Sequence, residues 1–237
     1  MQIEYTGEQL FWGTIGNIFI YSAFVCALFS SVLYCISAYN SQRSTDLKPL
    51  ARKFFYAHAI SVFGIFFMLM FLIFKHRFEY FYVWEHSNTA MPMRYIFACI
   101  WEGQEGSFLL WTLWQCVLIF FIIRNNKDWE APVVGIITMV QIFLCSMLLG
   151  IYFFDYRIGS NPFTLLRNHP DFANLPFVQM PDYLQKLKDG RGLNPLLQNY
   201  WMVIHPPTLF LGFASTVVPF AFAQKEDWQS QDDFAKA

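Results

Sequence analysis

The stretch GTIGNIFIYSAFVCALFSSVLYCISAY at residues 13–39 contains no Asp, Glu, Lys, Arg or His. A helix needs roughly 20 residues to cross the hydrocarbon of a bilayer, and one that is apolar on every face belongs in lipid or deep in a very large core. Four further stretches extend this reading. FFYAHAISVFGIFFMLMFLIF at 54–74 carries only His58, and VVGIITMVQIFLCSMLLGIYFF at 133–154 carries no charge. SFLLWTLWQCVLIFFII at 107–123 is short alone, but YIFACIW at 95–101 precedes it, so one longer, tilted helix is expected. PTLFLGFASTVVPFAFA at 207–223 is the weakest span, with a kink expected at Pro219. The expected fold is all-α: a polytopic transmembrane helix bundle of about five spans, a single domain over 1–237 with a long ordered external loop at 155–206.

Composition points the same way. Of 237 residues, 56% are apolar, 20% aromatic and 14% charged, whereas a soluble domain carries about 25% charge. Sixteen Lys+Arg against seventeen Asp+Glu leave a net charge of −1, which excludes a nucleic-acid module and leaves membrane lipid as the solvent. Cys26, Cys35, Cys99, Cys116 and Cys145 lie in or beside apolar runs without a CxxC pair, so they read as small hydrophobes. Glu4 and Glu8, with no Lys or Arg, precede the first apolar stretch, so no cleavable signal is expected.

With the N-terminus outside, the inner segments 40–53, 124–132 and 224–237 hold eight Lys+Arg, and the much longer outer segments hold the other eight. For a chain expected in the inner (cytoplasmic) membrane, density therefore favours the N-terminus outside and the C-terminus inside, anchored by Arg43, Lys48, Arg52 and Lys53. The loop 155–206 contains Pro162, Pro170, Pro176, Pro181 and Pro195 together with Phe163, Leu166, Phe172, Phe177 and Tyr183. Such content predicts a docked cap rather than one long helix, with amphipathic turns at 182–189.

Two polar insertions interrupt the apolar sequence. In Trp101-Glu102-Gly103-Gln104-Glu105-Gly106-Ser107, a helix would place Glu102 and Glu105 on one face and Gly103 and Gly106 beside them. A solvated helix start explains the glutamates equally well. Trp101, Trp111 and Trp114 crowd around them, and an aromatic wall with few polar groups is the usual lining of a flat apolar ligand's site. The second insertion runs from Asn194 to Pro207 and contains Tyr200, Trp201 and His205-Pro206-Pro207. Because a residue before proline is pushed out of the helical region and proline suits a helix's first turn, His205 is expected at a loop-to-helix junction. There it is either a hydrogen-bonded interfacial group or a ligand to a metal or cofactor. His58 reads as interfacial, His76 as an anchor in a Lys-His-Arg cluster, and His86 or His169 as a possible second ligand. Nucleotide-binding and hydrolase motifs are absent.

The segments HSNTAMPMRYIFACIWEGQEGSFLLWTLW (86–114) and LNPLLQNYWMVIHPPTLFLGF (193–213) closely resemble the N-terminal half of the CcmF/CcsA-type cytochrome c haem lyases. The shared pattern is Ser-Asn-x-x-x-Pro, Trp-x-x-His-Glu-Gly-Ser-x-x-x-Trp, Asn-Pro-Leu-Leu-Gln and His-Pro-Pro-x-x-x-x-Gly, over roughly residues 80–215. The resemblance implies that His205 is the first of two external histidines that ligate haem iron, with Trp101, Trp111, Trp114, Trp201, Glu102 and Glu105 around a b-type haem. Gln104 replaces the motif histidine, so no ligand role passes to it. The family's Trp-Gly-x-x-Trp-x-Trp-Asp motif and second external histidine do not follow the last span. The chain therefore looks like the N-terminal portion of a split or truncated lyase, whose second chain or missing C-terminal part carries the Trp-rich motif and whose substrate is apocytochrome c.

The expected function is thus a lyase component holding haem at the external face, not competent alone. The alternative is a non-catalytic haem- or quinone-binding subunit of a membrane redox complex. A transporter built on Glu102 and Glu105 is disfavoured because no repeat of the spans is visible. Reporter fusions test the orientation: one after residue 237 is expected in the cytoplasm and one near Gly190 outside, and an external C-terminal reporter refutes the arrangement.

Overall fold

The computed structural model describes residues 5–39 and 44–236, with residues 225–236 described by backbone alone. Glu4 and Arg43, both used above, lie outside the described residues. The elements are α1 (Leu10–Tyr39), α2 (Ser44–Phe74), α3 (Phe81–His86), α4 (Met93–Ala98), α5 (Gln104–Asn125), α6 (Glu130–Ser146), the hairpin strands β1 (Ile151–Phe153) and β2 (Tyr156–Ile158), α7 (Tyr183–Lys186) and α8 (Tyr200–Lys236), with short 3-10 turns in the loop. Helices α1, α2, α5 and the Tyr200–Gln224 part of α8 are long and apolar enough to cross a membrane, and α6 is a shorter apolar helix. The protein is an all-α polytopic membrane bundle, as expected.

Among α1 to α6, three differences from the hydropathy reading bear on the site. Helix α2 begins at Ser44, ten residues before the apolar run. Leu, Ala, Lys and Arg are all good helix formers, so the helix continues through LKPLARK where hydropathy stops. His58 consequently lies deep in the bundle, fully buried, with Nδ1 2.8 Å from Ala23 O, and not at an interface. The expected single helix over 95–123 is broken at 99–103, where Gly103 takes an extended conformation (φ −79°, ψ 165°) ahead of α5. The expected span 133–154 ends at Ser146. Ile151-Tyr152-Phe153 pairs instead with Tyr156-Arg157-Ile158, and Gly150 and Gly159, at φ +61° and +70°, turn the chain into and out of that hairpin.

Contacts fix the two ends of the bundle. At one end Arg52 pairs with both oxygens of Glu130, which also accepts a 2.9 Å bond from Tyr34 Oη. Lys48 Nζ donates to Lys127 O nearby, and Trp129 packs on Phe222 of α8. Residues 5–9, 75–103 and 147–199 gather at the other end. There Phe81 N donates to Thr164 O, Leu166 N to Glu79 O, Arg191 N to Trp84 O and Thr6 N to Pro181 O. Leu166, Val178 and Tyr183 form a small core with Phe81, Trp84 and Phe172. Glu8 ties the N-terminal segment to this cap through Arg167 (2.8 Å) and Tyr183 Oη (2.7 Å). The proline-rich loop is therefore an ordered cap, and of the amphipathic turns expected at 182–189 only one forms, as α7. The five cysteines are unbridged; Cys99, Cys116 and Cys145 are buried as expected, whereas Cys35 is exposed.

Glu130 is fully buried while the Arg52 side chain is one-third exposed, so the two halves of the pair are not equivalent. Arg52→Met is expected to destabilise by about 3 kcal/mol, because it strands a buried carboxylate. Glu130→Gln is expected to cost roughly 1 kcal/mol, since it keeps an acceptor for Tyr34 and leaves Arg52 able to reach water. Thermal unfolding in detergent ranks the two, and equal costs refute the asymmetry.

Candidate functional site

The break at 99–103 generates the site. Tyr82 Oη donates to Ile100 O (2.9 Å) and to Cys99 O (3.1 Å), and accepts from Gly103 N (3.2 Å), so one buried phenol holds the turn. Gly106 permits it: a Cβ there would overlap Ile100 O and meet Tyr82 Oη. Because Glu102 lies in this turn and Glu105 in the first turn of α5, the two carboxylates do not share a helix face, contrary to expectation. Glu102 Oε2 lies 3.1 Å from His86 Nδ1. Glu105 is buried and accepts from Ser160 Oγ, which in turn receives Arg157 Nη2 at 3.1 Å. Glu105 thereby fastens the cap to α5.

His205 is also placed differently from the expectation. Helix α8 starts at Tyr200, so His205 lies within the helix and Pro206, Pro207 and Pro219 are inside it. The Pro pair does not start the helix because Asn194, Pro195 and Asn199 already organise its entry: Asn194 caps the 3-10 turn Pro195–Leu197, and Asn199 Oδ1 accepts from Met202 N at 3.2 Å. The His205 side chain is exposed beside Leu197, Asn199, Trp201, Met202 and Pro206, around a shallow hollow of about 190 Å³. Trp201 is 69% exposed.

The tryptophans that the sequence grouped together do converge, on α8. Trp101 Nε1 donates to Met202 O (2.9 Å) and Trp114 Nε1 to Pro207 O (3.0 Å). Trp111 packs at a tilt against Phe213 and Phe210, with ring centroids 5.4 Å and 6.2 Å away, and its buried Nε1 has no hydrogen-bond partner in the structure. The wall lies between α5 and α8, with His205 and Trp201 on the uncovered side.

A second, more polar cavity of about 440 Å³ lies beside it, lined among others by Glu85, His86, Asn88, Glu102, Arg191 and Gln198. The sequence reading named His86 and Glu102 but had no signal that the Trp-Glu-His and Trp-Glu-Gly segments would face one another. Also missed was the engagement of Met202 by Trp101, although a proline inside a helix always leaves one carbonyl needing a donor. His169 is buried in the cap, stacked on Phe81 at 3.5 Å and 6°, and is not among the residues lining the His205 hollow.

An apolar helical bundle of long membrane-length helices with a folded cap at one end defines the class: a polytopic membrane protein. Residues 101–232 match the family described as cytochrome C assembly protein, and the chain belongs to that family, in its CcmF-type branch. The cytochrome c-type biogenesis protein CcmF of Escherichia coli K12 is 36% identical over 177 residues, covering 73% of this chain and 24% of that protein. CcmF of Pseudomonas fluorescens is 30% identical over 221 residues, covering 91% of this chain and 29% of that protein. A solved cytochrome c haem lyase CcmF has the same fold, with a TM-score of 0.65 at 20% identity over 94% of this chain and 31% of that one. The chain thus spans about a quarter of the length of these curated relatives.

Burial holds the His169 imidazole below its ordinary value of 6.5, with Asp171 opposing and Arg157 adding to the effect. The folded cap therefore binds fewer protons than the unfolded one, and its stability is present above pH 6.5 and falls as pH drops through that value. Proteolysis of the 155–199 segment is expected to accelerate between pH 7.5 and pH 5, and His169→Phe, which keeps the stack on Phe81, is expected to flatten that dependence. An unchanged pH profile in the variant refutes this role.

Proposed function

We propose that this protein is a component of cytochrome c biogenesis that holds haem at its capped face, as part of a haem lyase. The capped face is taken as external, because the short segments at the Arg52, Lys48 and Lys127 end carry Lys and Arg at the higher density. The observation that carries the reading is the exposed His205 imidazole, set among Trp201, Leu197, Met202 and Pro206 on the uncovered side of α8. This donor set fits one face of a planar apolar ligand: one imidazole for iron and an apolar, aromatic rim for the ring. The hollow is too small to enclose such a ligand, since drug-sized pockets run to about 300 Å³ or more, and His205 is the one histidine lining it. A further polypeptide, bearing the Trp-rich motif and the second histidine, is proposed to close the site, whether as a continuation of this chain or as a separate one. Residues 1–237 are then the N-terminal portion of a larger haem-handling membrane protein.

In this reading His205 binds and orients, Trp201 covers, and Trp111 presents an unused donor from the wall behind. Glu105 stabilises the cap through Ser160, and Glu102 lies beside His86. Neither carboxylate needs to move a proton. Bound haem would supply vinyl groups across which the cysteine thiols of apocytochrome c add, sulfur to one carbon and hydrogen to the other, with no leaving group. The protein's own contribution is proximity and orientation.

The test is His205→Gly in the full chain with its partner segment present. Loss or a shift of the haem spectrum is expected, with recovery on adding free imidazole to the vacated position. An unaltered spectrum refutes the assignment and favours the non-catalytic subunit.

A further inference from the structure

Pro206 has no N–H, so the carbonyl four residues earlier, that of Met202, has no amide to accept from within α8. In a membrane segment such a carbonyl is costly to leave open, because no bulk water is at hand. The Trp101 indole N–H reaches that same carbonyl at 2.9 Å. Trp101 is itself mounted rigidly: Ser107 Oγ donates to its backbone carbonyl at 3.0 Å, and Tyr82 fixes the preceding residues, Cys99 and Ile100, from the other side. Had 95–123 been one continuous helix, the Trp101 ring would follow α5's axis instead of being presented across to α8. The break, the proline and the indole thus form one device.

We propose that Trp101 is a positioning residue, its indole N–H standing in for the amide that Pro206 lacks, so that the turn carrying His205 is held at a fixed rotation and height against α5. Met202 and His205 lie one position either side of the Val203-Ile204 pair, on the same turn of α8, so a shift of the Met202 carbonyl moves the imidazole. Trp114, on Pro207 O at 3.0 Å, grips the next turn. Proline confers an advantage here that another residue would not: it removes the competing intrahelical donor and leaves the carbonyl for the indole. The inference deepens the haem-binding reading and rests on it for its consequence, but the clamp itself is a property of the helix.

The device predicts suppression. Trp101→Phe opens the Met202 carbonyl, whereas Pro206→Ala restores an amide to it, so the second change should cancel the effect of the first. Hydrogen–deuterium exchange of the 200–212 segment in the purified full chain, without haem, is the primary measurement. Trp101→Phe is expected to speed exchange roughly tenfold, the scale of one unsatisfied buried hydrogen-bonding group. In the Pro206→Ala background the same substitution is expected to change it less than twofold. Haem retention, compared pairwise in the two backgrounds, is expected to follow the same cycle. If Trp101→Phe fails to accumulate in membranes, Trp101→Phe/Pro206→Ala must accumulate, and failure of both overturns the proposal. So does faster exchange that Pro206→Ala does not suppress, or unchanged exchange with weaker haem binding, which would make Trp101 a direct haem contact. Suppression in exchange with haem absent from every variant, wild type included, upholds the clamp and refutes the haem reading instead.

Discussion

In hydrocarbon every backbone N–H and C=O must find its partner within the protein, and the rest of this structure is arranged around that constraint. Helices α1, α5 and α6, and α2 beyond Pro49 in its second turn, satisfy it internally. Apart from the short 126–129 connection at the opposite end, the irregular backbone of the described residues, including the 99–103 turn, the hairpin and the 3-10 turns, lies at the capped end, where Tyr82 donates to Ile100 O and the Asn161 and Asn194 side chains accept from the amides of Phe163 and Leu196 in place of a helical ladder. Helix α8 is the exception, since it carries three prolines, and there tryptophans of the neighbouring segment supply donors to its carbonyls.

The two ends of the bundle are built on different physics. The basic end is short and held by a charged knot, with Arg52 and Tyr34 both on Glu130. Charge pairing is economical there because the Arg52 side chain still reaches water. The capped end is large and held by packing and backbone bonds, with His169 stacked on Phe81, Phe172 tilted against both, and Leu166 and Tyr183 in the core they share with Phe81 and Phe172. Its fixed charges, Glu8 with Arg167 and Glu85 with Arg191, fasten the N-terminal segment and the loop to that core. A site at this end gains a rigid floor.

The site itself is open. Helix α8 is the least covered of the long helices, and Tyr200, Trp201, Ile204, Leu209 and Phe213 remain exposed along it. In the reading proposed above, an uncovered helix beside an open hollow is the appearance of a site that a further polypeptide would close.

Lipid exposure made the spans legible in the sequence, because a helix that must be apolar on all faces leaves a long uncharged run such as 13–39. The residue types of the site were equally visible: His205, the tryptophans and the paired glutamates stand out against an apolar background. Hydropathy could not see that α2 begins at Ser44, since helix propensity continues where apolarity stops, nor that Ile151–Phe153 leaves α6 for a hairpin, since aromatic and β-branched residues suit lipid and strands alike. The local preference of a residue before proline placed His205 outside the helix, and tertiary contacts overrode it. The sequence alone determined the membrane class, the number of apolar segments and the candidate ligand. Only the tertiary structure decided that Glu102 and Glu105 part company and that Trp101 meets Met202, because those outcomes depend on a five-residue turn that Gly106 permits but whose path is set by the Tyr82 phenol, a contact remote in sequence with no local signature.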